Sequence, residues 1–230
     1  MSESLFVEEA ARAAALEPQL PGEETADRLL AEARAAIYHW PKEFSGFSAS
    51  LSVLSSDGSR HRGAVSARSS RKLEIEGDFG KDPRWLRFQL EELLSHRESP
   101  EVSKMANRTG ATLGDFDPIY GQQVFLAGDS MGSFYRIANR RLTQIGRKYR
   151  SQDLLITIDS HHEFEEKFVA WSYTAFYRSL EDGALKKVET YLDSYREVES
   201  VHLPASRRVV TAEATGVRAT ELRFSEHRLL

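Results

Sequence analysis

From Gln122 to the C-terminus, apolar and polar residues alternate in segment after segment, separated by short polar or glycine-containing turns. Alternation at period two sends successive side chains to opposite faces, so each segment reads as a strand with one buried face. Strands are expected at 122–127, 133–137, 141–149, 153–162, 168–178, 185–198, 207–214 and 217–224. Turn signals divide them, among them Ala138-Asn139, Glu181-Asp182-Gly183, Pro204 and Thr215-Gly216. Upstream, Phe47, Ala49, Leu51 and Val53 alternate with serines, Asp57-Gly58 turns the chain into a second strand near 62–67, and Leu73 and Ile75 begin a third. Such short connections exclude parallel crossovers. About a dozen twisted antiparallel strands favour a curled sheet or unclosed β-barrel over a flat one.

Two segments carry helical periodicity instead. Between Thr25 and Trp40, Leu29, Ala33, Ala36 and Ile37 share one face, and Pro41 is the expected stop. Asp82-Pro83 has the form of an N-cap followed by proline at the first helical position, opening a helix to about Arg97. Its apolar residues, Trp85, Leu86, Phe88, Leu90, Leu93 and Leu94, cover more than a narrow stripe. A helix that apolar is expected to lie in the concave side of the sheet. The fold class is therefore mainly β (α+β), an N-terminal helix and a covering helix on one curled antiparallel sheet. Residues 1–22, interrupted by Pro18, Pro21 and Gly22, read as a flexible arm, and 23–230 as one β-rich domain.

Composition narrows the functional classes. A 230-residue chain with 40% hydrophobic and 29% charged residues can bury a sizeable core. Its net charge of −4 provides no general excess of cations for nucleic acid. One local basic strip, Arg136, Arg140, Arg141, Arg147, Lys148 and Arg150, reads first as a solvated hairpin edge and second as a phosphate or membrane-surface patch. The absence of cysteine removes disulfides and thiolate chemistry. The N-terminus lacks the form of a secretory or transit signal, and no apolar run approaches membrane-spanning length, so a cytoplasmic location is expected.

The catalytic motifs carry little. Gly128-Asp129-Ser130-Met131-Gly132 matches G-x-S-x-G, but that chemistry needs the serine on a turn from strand to helix, and a strand pattern follows here. His161 and His162 are adjacent in a strand and point to opposite faces, which cannot gather the three or four ligands of a zinc site. Neither the remaining histidines nor the acidic pairs Glu91-Glu92, Glu181-Asp182 and Glu163/Glu165 mark an acid–base site, and no metal or cofactor is assigned. Catalytic residues are accordingly none.

The segment 168–177 is different. It places Val169, Trp171, Tyr173 and Tyr177 on one face and Phe168 and Phe176 on the other, so both faces are expected to be covered. Core packing accounts for such aromatics, and so does an apolar ligand wall. On the second reading the lining residues are Trp85, Phe88, Met131, Tyr135, Trp171, Tyr173 and Phe176.

Several segments resemble the domain-of-unknown-function family 3386, a family of oxygenic phototrophs. They are 40–47 (Trp-Pro-Lys-Glu-Phe-Ser-Gly-Phe), Ser95-His96-Arg97, 128–136, and the end from Tyr191 through Tyr195-Arg196-Glu197-Val198 and Leu203-Pro204 to Phe224. The resemblance covers about 26–230. It departs at 40–43, where the family tends to have Trp-Asp-Glu-Asn, in a longer loop from Gly114 to Gly121, and at Ser130, where alanine is common. The family implies no established activity. The order of a helix and a β meander is also similar to bacterial lipoprotein carriers, whose unclosed barrel holds acyl chains under helices.

Three functions follow as expectations. The first is a non-catalytic protein sheltering a hydrophobic small ligand, a lipid or pigment. The second is an interaction or assembly factor with a protein partner at the sheet surface. The third is an enzyme of chromophore-lyase type, which requires a polar cluster inside the cavity.

Overall fold

The computed structural model describes residues 25–80, 82–98, 110–126 and 132–230. The arm read at 1–22 and the segment from Gly128 to Met131 lie outside them. Twelve strands form one antiparallel sheet: β1 (Phe47–Ser55), β2 (Arg60–Ser69), β3 (Lys72–Gly77), β4 (Thr112–Asp117), β5 (Gly121–Phe125), β6 (Phe134–Ala138), β7 (Arg141–Lys148), β8 (Gln152–Phe164), β9 (Lys167–Ser179), β10 (Leu185–Val198), β11 (Val201–Glu213) and β12 (Gly216–Leu229). Their order is β3-β2-β1-β12-β11-β10-β9-β8-β7-β6-β5-β4. The sheet is a continuous meander from β4 to β12, closed at one side by β1 pairing back onto β12, with β3 and β4 left as edges.

Two-residue turns make the long hairpins. Asn139-Arg140, Glu165-Glu166 and Glu199-Ser200 all adopt positive φ, between 48° and 67°. Two successive left-handed residues give the primed turn whose twist matches that of the flanking strands. The last of these corrects the expectation of a turn at Pro204. Proline lies within β11, where the ladder shifts opposite Tyr195, as a residue without an N–H is tolerated at a bulge. β11 thus begins at Val201, and β12 runs on to Leu229 because β1 gives it a partner. β4, outside every strand that the alternation predicts, is an edge strand paired to β5.

Both helices cover the concave face. α1 (Ala26–Ala35) is capped by Thr25, whose hydroxyl accepts from the Arg28 N–H, and buries Ala26, Leu30 and Ala33 against Val124, Tyr135 and Ile137. It ends well before Pro41 because the chain turns to pair with β9: the Tyr38 N–H donates to the Phe168 carbonyl at 3.0 Å and the Phe168 N–H to the Ala36 carbonyl at 2.7 Å. α2 (Pro83–Ser95) is capped by Asp82, which accepts from the Trp85 N–H at 2.9 Å. Leu86, Leu90, Leu93 and Leu94 pack on Phe47, Leu51, Val65, Leu73, Leu203 and Leu222 in the main core. Each leucine buried this fully contributes about 1.5–3 kcal/mol of transfer free energy.

Candidate functional site

Beneath α2 the concave face carries charge. Along β10, Glu189, Tyr191 and Asp193 are buried at inward positions, and on β11 so are Arg207, Val209 and Thr211. Arg207, 1% exposed, donates from Nε and Nη2 to the two carboxylate oxygens of Asp193 at 2.8 and 2.7 Å. It also reaches the Tyr173 hydroxyl at 2.7 Å and, from the helix, the Gln89 carbonyl at 3.3 Å and the Glu92 carboxylate. Burial alone would raise the Glu92 carboxyl, but the Arg207 guanidinium, together with His96 and Arg97, holds the group below the usual carboxylate range. Burial would likewise discharge Arg207, and Asp193 and Glu92 keep it firmly protonated. A second buried acid, Glu189, accepts from the Tyr191 hydroxyl at 3.0 Å and Thr211 at 3.4 Å and pairs with Lys187 at 3.1 Å. Tyr191 stacks on Tyr173 with centroids 4.6 Å apart. Burial pushes the phenols of Tyr173 and Tyr191 upward.

This knot joins α2 to the sheet. A bidentate carboxylate with a second acid and a phenol matches the five donors of one guanidinium. With Arg207 and Asp193 enclosed and matched, its chemistry is positional, setting where the helix lies.

Between the helices the face changes character. The strip over β7, β8 and β9 is floored by Ile145, Leu154, Ile156, Ile158 and Tyr177, all half-buried, with Trp85 of α2 along one side. A row of rings continues it: Trp171 stacks on His162 at 5.3 Å, His162 on Phe164 at 5.9 Å, and Phe164 on His202 at 3.7 Å, with Tyr38 edge-on to Phe164 at 5.5 Å. These rings are also half-buried. Beside them Tyr195, its hydroxyl pushed up by burial, accepts from Arg97 Nη2 at 3.0 Å. Arg97 is 5% exposed, and its Nε has no hydrogen-bond partner. Among the described residues no carboxylate pairs with it, whereas Arg207 has two.

The residues read as a ligand wall divide three ways. Trp85 and Tyr173 share one cluster on the concave side, Tyr173 already committed to Arg207 and Tyr191, and Trp171 stacks on His162 in the ring row. Tyr135 is concave but under α1, its ring beneath the Arg147 guanidinium and its hydroxyl accepting from it at 2.5 Å. Phe88 and Phe176 are elsewhere: Phe88 is 55% exposed on the outer side of α2, and Phe176 lines a pocket on the opposite face of the sheet. Phe88 faces out because Leu86, Leu90, Leu93 and Leu94 already fill the inward side of α2, and the helical period then turns it outward. Met131 lies outside the described residues.

Other motifs resolve similarly. G-x-S-x-G is followed by strand β6, not a helix. His161 donates from Nε2 to the Leu142 carbonyl at 3.1 Å, while His162 joins the ring row. No group of three or more His, Asp or Glu that could hold a metal occurs among the described residues, and no helix among them is long and apolar enough to cross a membrane. The sequence reading missed the charged knot. Glu92 belongs to an acidic pair that marks no acid–base site in sequence, and Glu189, Asp193 and Arg207 fall within the period-two pattern of their strands. One signal was available: all three sheet charges sit at inward period-two positions, each two residues from a buried Tyr191 or Val209.

With this geometry established, comparison places the chain. Residues 22–230 match the family described as protein of unknown function (DUF3386). The chain belongs to the DUF3386 family. No curated protein matches this sequence. Among solved structures, this DUF3386 protein is similar to a LolA-superfamily protein from Nitrosomonas europaea, at 14% identity and a TM-score of 0.36, covering 90% of this chain and 94% of that one. It is also similar to a lipoprotein-sorting protein domain from Vibrio parahaemolyticus, at 11% identity and a TM-score of 0.31, covering 89% and 93%. At these scores neither likeness bears on what the DUF3386 chain binds.

Proposed function

We propose that this DUF3386 protein is a non-catalytic carrier that shelters a hydrophobic small ligand, a lipid or pigment, along the strip between α1 and α2. The observation that carries the reading is the half-buried row from Ile156 and Ile158 to Trp171, His162 and Phe164, an apolar wall adjoining a core in which the leucines are closed over. Ligand sites combine such walls with a few placed polar groups. Arg97 is the polar group here, a buried cation whose Nε has no partner and whose charge no described carboxylate matches. A ligand with an acidic head at Arg97 and an apolar body on the strip would satisfy both. The knot at Arg207 acts as a fastening for α2, and no substrate contact is assigned to it.

Native mass spectrometry of the protein from its own cells, with organic extraction, tests this. The expected result is one co-purifying amphiphile, displaced in Ile156→Glu. A bare mass in the native spectrum and no extractable compound would overturn the reading.

A further inference from the structure

The turns between β7 and β8 and between β9 and β10 lie side by side at one end of the sheet, joined by the Leu180 N–H donating to the Ser151 carbonyl at 3.2 Å. Three of the large apolar side chains that the protein leaves exposed are there: Tyr149, Leu180 and Leu185, between 47% and 54% exposed. Around them are Arg147, Lys148, Arg150 and Arg178, none of which pairs with a carboxylate among the described residues. The acids of the two turns are Asp153, across the ladder from both Lys148 and Arg178, Glu181, and Asp182, already paired with Lys186 at 2.9 Å, while Glu213 at the neighbouring end of β11 is paired with Arg218. Arg147, Lys148 and Arg178 also border a pocket of about 130 Å³ on the convex face, whose apolar wall is Phe134, Leu155 and Phe176. Its depth depends on Gly146, where a β-carbon would collide with the Phe134 ring.

The opposite end mixes both signs, with Arg71, Lys72, Lys167, Arg196 and Arg228 standing among its glutamates. Its two-residue turns are Glu165-Glu166 and Glu199-Ser200, with Glu163 and Glu197 beside them. The hairpins therefore split the basic strip of the sequence: Arg140 and Arg141 go to the far end, where Arg141 pairs with Glu163, and Lys148 and Arg150 go to the tip. In a chain of net charge −4, the tip thus sets cations without a carboxylate partner among the described residues beside exposed apolar side chains.

We propose that this tip docks on an anionic lipid bilayer. Tyr149, Leu180 and Leu185 enter the headgroup region, Lys148, Arg150 and Arg178 neutralise lipid phosphates, and the glutamate-bearing end is held away from the surface. Apolar side chains ringed by cations suit an interface that is apolar within and negative at its rim. This docking is independent of whether the strip holds a ligand.

Co-sedimentation of the full chain with phosphatidylcholine vesicles containing phosphatidylglycerol tests it. Binding is expected to these vesicles, to fall with added salt, and to be absent with phosphatidylcholine alone. Each cation near an acidic leaflet strengthens partition about fivefold, so Lys148→Glu/Arg150→Glu/Arg178→Glu is expected to weaken it at least about 100-fold. Arg71→Glu/Lys72→Glu/Arg228→Glu makes the same change of net charge at the far end and is expected to cost far less. Leu180→Ser is expected to lower binding without altering its salt dependence. Both triple variants are exposed-site changes, and circular dichroism confirms that they are folded. Equal loss in the two triple variants, equal binding to both vesicle types, or no binding to acidic vesicles would overturn the proposal. Inorganic phosphate that abolished vesicle binding at constant ionic strength would also overturn it, by assigning the cations to a free anion.

Discussion

Two parts of the same concave face solve burial in opposite ways. Under α2, Arg207, Asp193 and Glu189 are enclosed and paired. Between α1 and α2, the side chains are apolar or aromatic and only half enclosed. Paired charge is found where α2 closes over the sheet, and half-open apolar surface where no described helix does. The comparison shows that burial under α2 is a docking specification, since an ion pair this deep returns little net stability but strongly penalises a misplaced partner.

Arg207→Ala tests the first half most severely. It leaves Asp193 and Glu92 without their cation, and a loss of about 3–5 kcal/mol is expected in urea unfolding. Replacing Arg207, Asp193 and Glu92 together by apolar residues of similar size is expected to recover most of it. A loss below about 1 kcal/mol in the single variant would show that the knot does not hold α2.

A paired truncation sharpens the contrast. Leu90→Ala, in the closed core, is expected to cost about 2–5 kcal/mol, and Ile156→Ala, in the half-buried strip, about 1 kcal/mol. The strip variant should instead reduce the amount of co-purifying compound. Equal costs by denaturation would erase the distinction between the two regions.

The smallest effect concerns the strand that borders the strip. Burial, with Arg141 nearby, pushes the His161 imidazole down to about 4. The folded chain thus binds fewer protons at this site than the unfolded chain, whose imidazole titrates near the ordinary value of 6.5. Its stabilising contribution is present above about pH 6.5 and is lost as pH falls toward 4, by about 1–2 kcal/mol once partial solvent contact is allowed for. Urea midpoints measured between pH 7.5 and 4.5 should show this slope, and His161→Phe should flatten it.

Much of the fold was legible one residue at a time. The Asp82-Pro83 cap, the period-two runs of β1 and of β5 to β10, and the two-faced segment containing Trp171 and Phe176 are local properties. β4 was not legible, since Gly114 and its charged neighbours have weak strand preference and depend on β5 to pair them. The full extent of β12 depended on β1, distant in sequence. Phe88 and Leu90 look alike in sequence, and only the docking of α2 sends one outward at 55% exposure and the other inward.

Alternation, turns and caps act over a few residues, and they are enough to specify a curled antiparallel meander with a capped apolar helix. Tertiary structure alone decided what the concave face is. Glu92, Tyr173, Asp193 and Arg207 come from four elements as far as 115 positions apart. The same is true of the rings of Tyr38, Trp171 and His202 and of the partnerless Nε of Arg97. A charge in a strand has the same local pattern whether water or a guanidinium faces it, and only packing across the sheet distinguishes the two.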